Sequence, residues 1–265
     1  MPNMKWRELS TADFKALKKE RMLAVLPLGS TEQHGAHMPV ATDALMIEAV
    51  VGEVMTQLKG VDTIFLPTLW CTKSGEHKDF PGTVCLSAET LLHVLEEISA
   101  SVARAGFRKL IYLNAHGGNS DLLAVAARDV HQQTGLTTFV VDIMRLLAAY
   151  PPADLEPGAF DIHAGQFETS VIMARHPKLM EGRNWQGYGS DLKRGRLAET
   201  FKGFKLLRPG GNPVTIGWIT RDFTDDGVIG DPSHADVEKG ERGLQAQVKL
   251  VCDAFREIEA FEYKA

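Results

Sequence analysis

Apolar residues in this chain follow two rhythms. Met22–Leu28, Thr63–Leu66, Lys109–Leu113 and Thr137–Ile143 are short apolar runs with the length of buried strands. Between them the spacing is helical. Ala44–Leu58 places Leu45, Met46, Ala49, Val50, Val54 and Leu58 at helical intervals, with Thr42 as the expected N-cap. Leu91–Ala105 repeats the pattern through Leu91, Leu95, Ile98 and Val102 and stops before Gly106; Ser120–Thr134 forms a third helix. Pro151 to Asp231 is punctuated by prolines and glycines, including Pro157-Gly158 and Pro209-Gly210-Gly211-Asn212-Pro213. It reads as long loops, with a small antiparallel excursion around Val214 to Asp222. Ser233–Tyr263 closes the chain as a long amphipathic helix.

Strands that alternate with amphipathic helices predict a three-layer α/β/α fold with a mainly parallel sheet. One domain spanning 1–265 is expected from the length. Ligands of such folds bind beyond the carboxyl ends of the strands. The chemically rich segments of this chain stand there.

Glu32-Gln33-His34-Gly35-Ala36-His37 follows the first run, with Asp43 just downstream. Charged groups at the end of a buried strand are costly without partners. Carboxylate oxygen and imidazole nitrogen together suit zinc, manganese or iron. The two-residue spacing puts Glu32 and His34 on one side of an extended segment, whereas a helix would separate them. Asp43 suits either a metal ligand or a helix-terminal acid. Ser74, Glu76 and His77 follow the second run and offer polar groups to a substrate. Asn114-Ala115-His116-Gly117-Gly118-Asn119 follows the third, where His116 faces the same edge, Asn119 stands at a cap position and the glycines allow a tight turn. Gly117 and Gly118 also suit a phosphate cradle. In Asp161–Ser170, His163 and Glu168 are too far round a helix to share a face, so His163 is expected before the helix starts. Glu168 there is either a ligand or a surface acid of a first turn. His37 could orient a ligand from behind. Ser30 sits in no nucleophile elbow, and the chain has no P-loop and no HExxH motif.

The net charge of −5 argues against nucleic acid or an anionic membrane as partner. The basic group Lys193-Arg194-Gly195-Arg196 reads as a solvated loop. Cys71, Cys85 and Cys252 form no paired framework, no secretory signal or membrane span is visible, and a cytoplasmic location is expected.

The ordered set E-Q-H-G-x-H, T-D, S-x-E-H with F-P-G-T, N-x-H-G-G-N and H-A-G-x-x-E-T-S resembles the creatininase family of amidohydrolases. Gly227-Val228-Ile229-Gly230-Asp231-Pro232 with Glu238-Lys239-Gly240 resembles its C-terminal signature. The resemblance implies a dinuclear centre of divalent ions, Zn2+ and/or Mn2+ with Fe2+ an option, and a homo-oligomer, often a hexamer. It implies Glu32, His34, Asp43 and His116 as ligands with Asp43 bridging, His163 as proton shuttle and Ser74 as a substrate contact. True creatininase places a tyrosine and a ligating glutamate after the histidine matching His116. Gly117 and Gly118 stand there in this chain, so Glu168 is the expected fifth ligand. The paired tryptophans of the creatinine pocket are missing from Gly158-Ala159-Phe160-Asp161-Ile162. The expected activity is therefore cleavage of a non-peptide C–N bond (an amide, cyclic amide or formamide) of a small molecule other than creatinine, by a metal-bridged hydroxide. Glu32, Asp43, Glu168 and the hydroxide would balance two divalent ions. The alternatives are a hydrolase or lyase of a sugar- or inosose-like ring and a non-catalytic binding module.

Overall fold

The structure, a computed structural model, describes residues 3–152, 161–188, 196–204, 206–207 and 214–264. Five strands form one sheet: β1 (Met4–Lys5), β2 (Leu23–Leu28), β3 (Thr63–Phe65), β4 (Lys109–Asn114) and β5 (Thr137–Asp142). Their order is β1-β3-β2-β4-β5 and every pairing is parallel. The helices are α1 (Thr11–Ala16), α2 (Thr42–Gln57), α3 (Ala88–Arg104), α4 (Ser120–Thr134), α5 (Ile143–Ala149), α6 (Gln166–Arg175), α7 (Arg196–Thr200), α8 (Thr220–Phe223) and α9 (Val237–Ala260). The expected single α/β domain with layered helices is observed, and β1 is an edge strand that the apolar pattern did not announce.

Alternation along the central strands divides the core. Leu23, Val25, Ile111 and Leu113 face α2 and α9, where Val50, Val54, Val248 and Phe255 complete one apolar layer. Ala24, Leu26, Leu110 and Tyr112 face α3 and α4 and meet Leu91, Leu95, Leu123 and Val130. Burial on both faces explains why these strands read as unbroken apolar runs. Lys109 is the exception at the start of β4. It is buried, and its ammonium donates to the carbonyls of Ile258, Glu259 and Phe261 at 3.0, 2.7 and 2.6 Å, which closes the C-terminus of α9.

The chain runs from β2 to β3 on one side and then crosses to β4 on the other. This reversal opens a crevice at the carboxyl ends of β2 and β4. Leu28 and Asn114 are register partners, and Ala115 N–H continues the ladder to Leu28 O at 3.0 Å. The loops carrying Glu32 and His116 therefore leave the sheet side by side. Gly29 lets the end of β2 touch the start of α2, because a Cβ there would sit 2.5 Å from Ala44 Cα. That approach brings Asp43 into the same crevice.

Several local expectations are corrected. Thr42 is the first residue of α2 and not its cap; its hydroxyl donates to Pro39 O at 2.7 Å. Asn119 does occupy the N-cap position of α4, but its side chain makes no capping bond, since its amide turns inward to Asn114 Oδ1 at 3.1 Å. The final helix begins at Val237, capped by Asp236, which accepts from Lys239 N at 2.7 Å. No antiparallel pair forms among the described residues of Val214 to Asp222. Val214 makes one parallel bridge to Leu207, and Thr220–Phe223 coils because Asp222 accepts the Ile219 N–H at 2.9 Å. Pro157, Gly158–Phe160, Lys193–Gly195 and Pro209–Pro213 lie outside the described residues.

Candidate metal centre and active site

The crevice gathers residues from four segments. Glu32 lies in the chain after β2, with its N–H on Val40 O at 2.8 Å. His34 follows, and Asp43 occupies the first turn of α2. Asn114 shapes the turn that carries His116. Its amide donates to His116 O at 2.7 Å and to Asp142 Oδ2 at 3.1 Å, and its carbonyl oxygen accepts from His116 N at 3.3 Å. α6 begins at Gln166, so His163 precedes it and Glu168 occupies its first turn. Ala164 between them takes a left-handed φ of 57°, a strained conformation for a residue with a side chain. Its N–H donates to Glu168 Oε2 at 2.6 Å and so aims that carboxylate inward.

Backbone carbonyls only accept, so they settle which ring nitrogens carry hydrogen. His34 Nδ1 lies 3.1 Å from Glu32 O, His116 Nε2 lies 3.0 Å from Lys73 O, and His163 Nε2 lies 2.7 Å from Gln33 O. The opposite nitrogens face carboxylates. His34 Nε2 is 3.4 Å from Asp43 Oδ1 and 3.8 Å from Glu168 Oε2. His116 Nδ1 is 3.1 Å from Asp43 Oδ2 and 3.2 Å from Glu32 Oε2. His163 Nδ1 is 3.6 Å from Glu32 Oε1. With neutral rings, lone pairs would thus converge on lone pairs in a buried site. His34 Nε2 and Asp43 Oδ2 are fully enclosed without a hydrogen-bond partner. Three overlapping sets have donor atoms within 4.8 Å of one another: Glu32, His34 and Asp43; His34, His163 and Glu168; Glu32, His77 and His163.

The protonation tendencies express the same demand for positive charge. Burial alone would lower His34, but Asp43, Glu168 and Glu32 outweigh it and push the imidazole up to about 9. Burial also opposes charge on His116, yet Glu32 and Asp43 hold it well above the ordinary range. Asp43 itself, despite burial, is held far below the usual carboxylate range by His34 and His116. Burial raises Glu168 to about 7. Divalent cations would meet this demand in place of protons, and the oxygen and nitrogen donors are of the kind that holds Zn2+ or Mn2+. Glu32, His34, Asp43 and Glu168, each a member of one of those sets, and His116 beside Glu32 and Asp43 could hold such an ion.

The other expected site residues take distinct places. The Ser74 hydroxyl donates to Glu32 Oε2. Glu76 pairs with Lys73 Nζ at 2.6 Å and approaches His116 Nε2 at 3.8 Å. A Cβ on Gly118 would overlap Glu76 Oε1 and His116 Nε2, whereas one on Gly117 would meet open space. His77 is buried with Nε2 at 3.5 Å from Glu32 Oε1. His37 stands behind the cluster, with Nε2 at 3.1 Å from Thr169 Oγ1 and its ring stacked on Tyr188. Gln33 was not singled out by sequence, although the structure places its side chain between His77 and His163. Its place directly between Glu32 and His34 in the chain was the available signal.

A cavity of about 640 Å³ opens from this cluster. Glu32, His116, His163 and Glu168 line it, together with the apolar side chains of Met144, Leu147, Phe167 and Trp218. Volume and lining are those of a small-molecule site. A family model described as creatininase, creatinine amidohydrolase, matches residues 7–255. The chain belongs to the creatininase family. Among curated members, the mycofactocin precursor peptide peptidase of Mycobacterium tuberculosis (strain CDC 1551 / Oshkosh) is 30% identical over 251 residues, covering 91% of this chain and 87% of that protein. Creatinine amidohydrolase of Pseudomonas putida is 29% identical over 257 residues, with 88% of each covered. A solved creatininase structure in a manganese form superposes with a TM-score of 0.69 at 26% identity, covering 96% of this chain and 97% of that one. Family members thus include hydrolases with different substrates on one scaffold. Among the described residues no helix is long and apolar enough to cross a membrane.

Proposed function

We propose that this creatininase-family chain is a dinuclear metal-dependent amidohydrolase that cleaves a C–N bond in a small-molecule amide, cyclic amide or formamide. The observation that carries the reading is the arrangement of His34, His116 and His163. Each has one N–H tied to a backbone carbonyl and its other nitrogen turned toward buried carboxylates. Bound divalent ions supply Lewis acidity and lower the pKa of water to about 7. The protein's own groups do the rest. Glu32, Asp43 and Glu168 compensate the ions' charge, Ser74 orients Glu32, and His163 Nδ1 faces the reacting region as the group that takes and returns a proton. Glu168 is the fifth ligand in this reading, supported by its approach to His34 and its fixed hydrogen bond from Ala164.

Creatinine is not the substrate in this reading, because the chain lacks the paired tryptophans of the creatinine pocket before His163 and carries Gly117 and Gly118 where true creatininase has a tyrosine and a glutamate. The apolar part of the cavity lining favours a second substrate class, the amide bond of a peptide with apolar side chains, as the mycobacterial relative's name also suggests. The test is metal analysis followed by turnover assays on amides, lactams, formamides, short peptides and creatinine. Water-dependent cleavage of one amide class by metal-loaded protein, abolished by Glu168→Gln together with loss of one ion, supports the proposal. Turnover without uptake of water would point to a ring lyase. Ligand binding that needs no metal would point to a binding module.

A further inference from the structure

Gln33 is buried, and its amide orientation is fixed by two backbone groups. Its side-chain oxygen accepts the Gly35 N–H at 2.9 Å, and its Nε2 donates to Gly227 O at 3.0 Å. An N–H cannot accept and a carbonyl cannot donate, so the reverse orientation would break both bonds. One amide hydrogen remains. Two ring nitrogens lie within its reach, His77 Nδ1 at 2.8 Å and His163 Nε2 at 3.1 Å. His163 Nε2 already carries a hydrogen, because it faces the backbone carbonyl of Gln33 at 2.7 Å. The remaining amide hydrogen therefore goes to His77 Nδ1. The Thr220 hydroxyl, 2.9 Å from His77 Nδ1, has an alternative acceptor in Glu76 O, also at 2.9 Å. With that assignment both amide hydrogens and the side-chain oxygen of Gln33, His77 Nδ1, His163 Nε2–H and the Thr220 hydroxyl all have partners.

The geometry points to Gln33 as a positioning residue that sets the tautomers of two site histidines: its side chain makes His77 present an Nε2–H to the centre, and its backbone carbonyl makes His163 present a bare Nδ1. Both inward nitrogens approach the same oxygen, Glu32 Oε1, at 3.5 and 3.6 Å. One ring thereby turns an N–H and the other a lone pair toward a single carboxylate. An amide hydrolysis needs both, an acceptor for the proton of the incoming water and a donor for the carbonyl oxygen or the departing nitrogen. His163 must take a proton before it can return one, whereas His77 is ready to donate from the start. The C-terminal signature enters the site through the same residue. Gly227, at a φ of 87°, lies so close to Gln33 that a Cβ would overlap the amide.

This inference rests on the hydrolase reading for its chemistry, but its test is independent of any substrate. The full chain is labelled with 15N-histidine, and ring-nitrogen correlation spectra are recorded as purified and after loading with Zn2+. His77→Gln and His163→Gln assign the two rings. The expected wild-type result is an Nε2–H tautomer for both. In Gln33→Glu the side chain can only accept, so His77 loses its bare Nδ1 while His163, held by the backbone carbonyl, keeps its tautomer. A wild-type His77 protonated at Nδ1 overturns the inference whether or not the variant folds. So does a folded Gln33→Glu protein with His77 unchanged, since Thr220 would then set the tautomer. Metal content measured on the same samples tests the hydrolase reading separately: a chain that rejects Zn2+ yet shows these tautomers sinks the reading and leaves the role of Gln33 standing.

Discussion

Asp43 and His116 meet at 3.1 Å, Oδ2 to Nδ1, although one opens helix α2 and the other follows strand β4. The second oxygen of Asp43 faces His34 Nε2 at 3.4 Å. One buried carboxylate thus stands between two imidazoles, the placement a bridging ligand needs. Asp43→Asn keeps the shape and removes the charge. Elemental analysis is expected to fall from about two ions per chain to fewer than one. Zn2+ at 100 times its Kd should stabilise the wild type by about 2.7 kcal/mol, roughly 5–10 °C in Tm, and the variant by much less. Equal metal content in both proteins would remove Asp43 from the ligand set.

The two glycines after His116 should respond differently. Gly118→Ala collides with Glu76 and with the hydrogen-bonded nitrogen of His116, so the ring must shift. Metal affinity is expected to drop about 10- to 100-fold, the usual scale for disturbing a ligand's outer partner. Gly117→Ala meets open space and should leave affinity within about two-fold of wild type. Competition with a chelator of known affinity measures both, and equal losses would contradict the geometry.

His37 should make the fold sensitive to acid. Burial, helped by nearby His34, lowers it to about 4 in the folded chain, against 6.5 for the free imidazole. The unfolded state therefore binds the extra proton first as pH falls. The stability that His37 contributes is fully present above about 6.5 and is lost as pH falls from there through 4. In chemical denaturation at pH 7 and pH 5, His37→Phe should lose less stability than the wild type over that interval. Identical pH dependence in the two proteins would refute this.

Lys109 offers a test remote from the centre. Its ammonium holds three carbonyls at the end of α9 and pairs with Glu262 at 3.1 Å. Lys109→Met leaves those carbonyls without their charged donor. A loss of about 2–3 kcal/mol is expected, seen as a fall in Tm of roughly 5–10 °C. Metal content should stay at the wild-type level. A concurrent loss of metal would show that the end of α9 and the site are coupled.

Much of the site was legible before any coordinates. Glu32, His34 and His116 follow apolar runs, and a parallel sheet delivers the ends of such runs to one edge. The helical period of Ala44–Leu58 and the turn signals around Asn114–Asn119 located α2 and β4 because local spacing reflects local geometry. Val214 to Asp222 departs from the expected antiparallel pair because its conformation depends on Asp222 bonding back to Ile219 and on Thr220 reaching Glu76 and His77. Nothing in its composition marks those contacts.

The fold class, the core faces and most residues of the crevice are readable from the sequence, since these follow from side-chain periodicity along each element. The tertiary structure alone decided what each residue does there. His37 turns to Thr169 and Tyr188, Ser74 donates to Glu32, and Gln33 mediates between His77, His163 and Gly227. The direction of a ring nitrogen or an amide hydrogen is set by its hydrogen-bond partners. For Gln33 those partners include residues 130 and 194 positions away along the chain, beyond the reach of any local pattern.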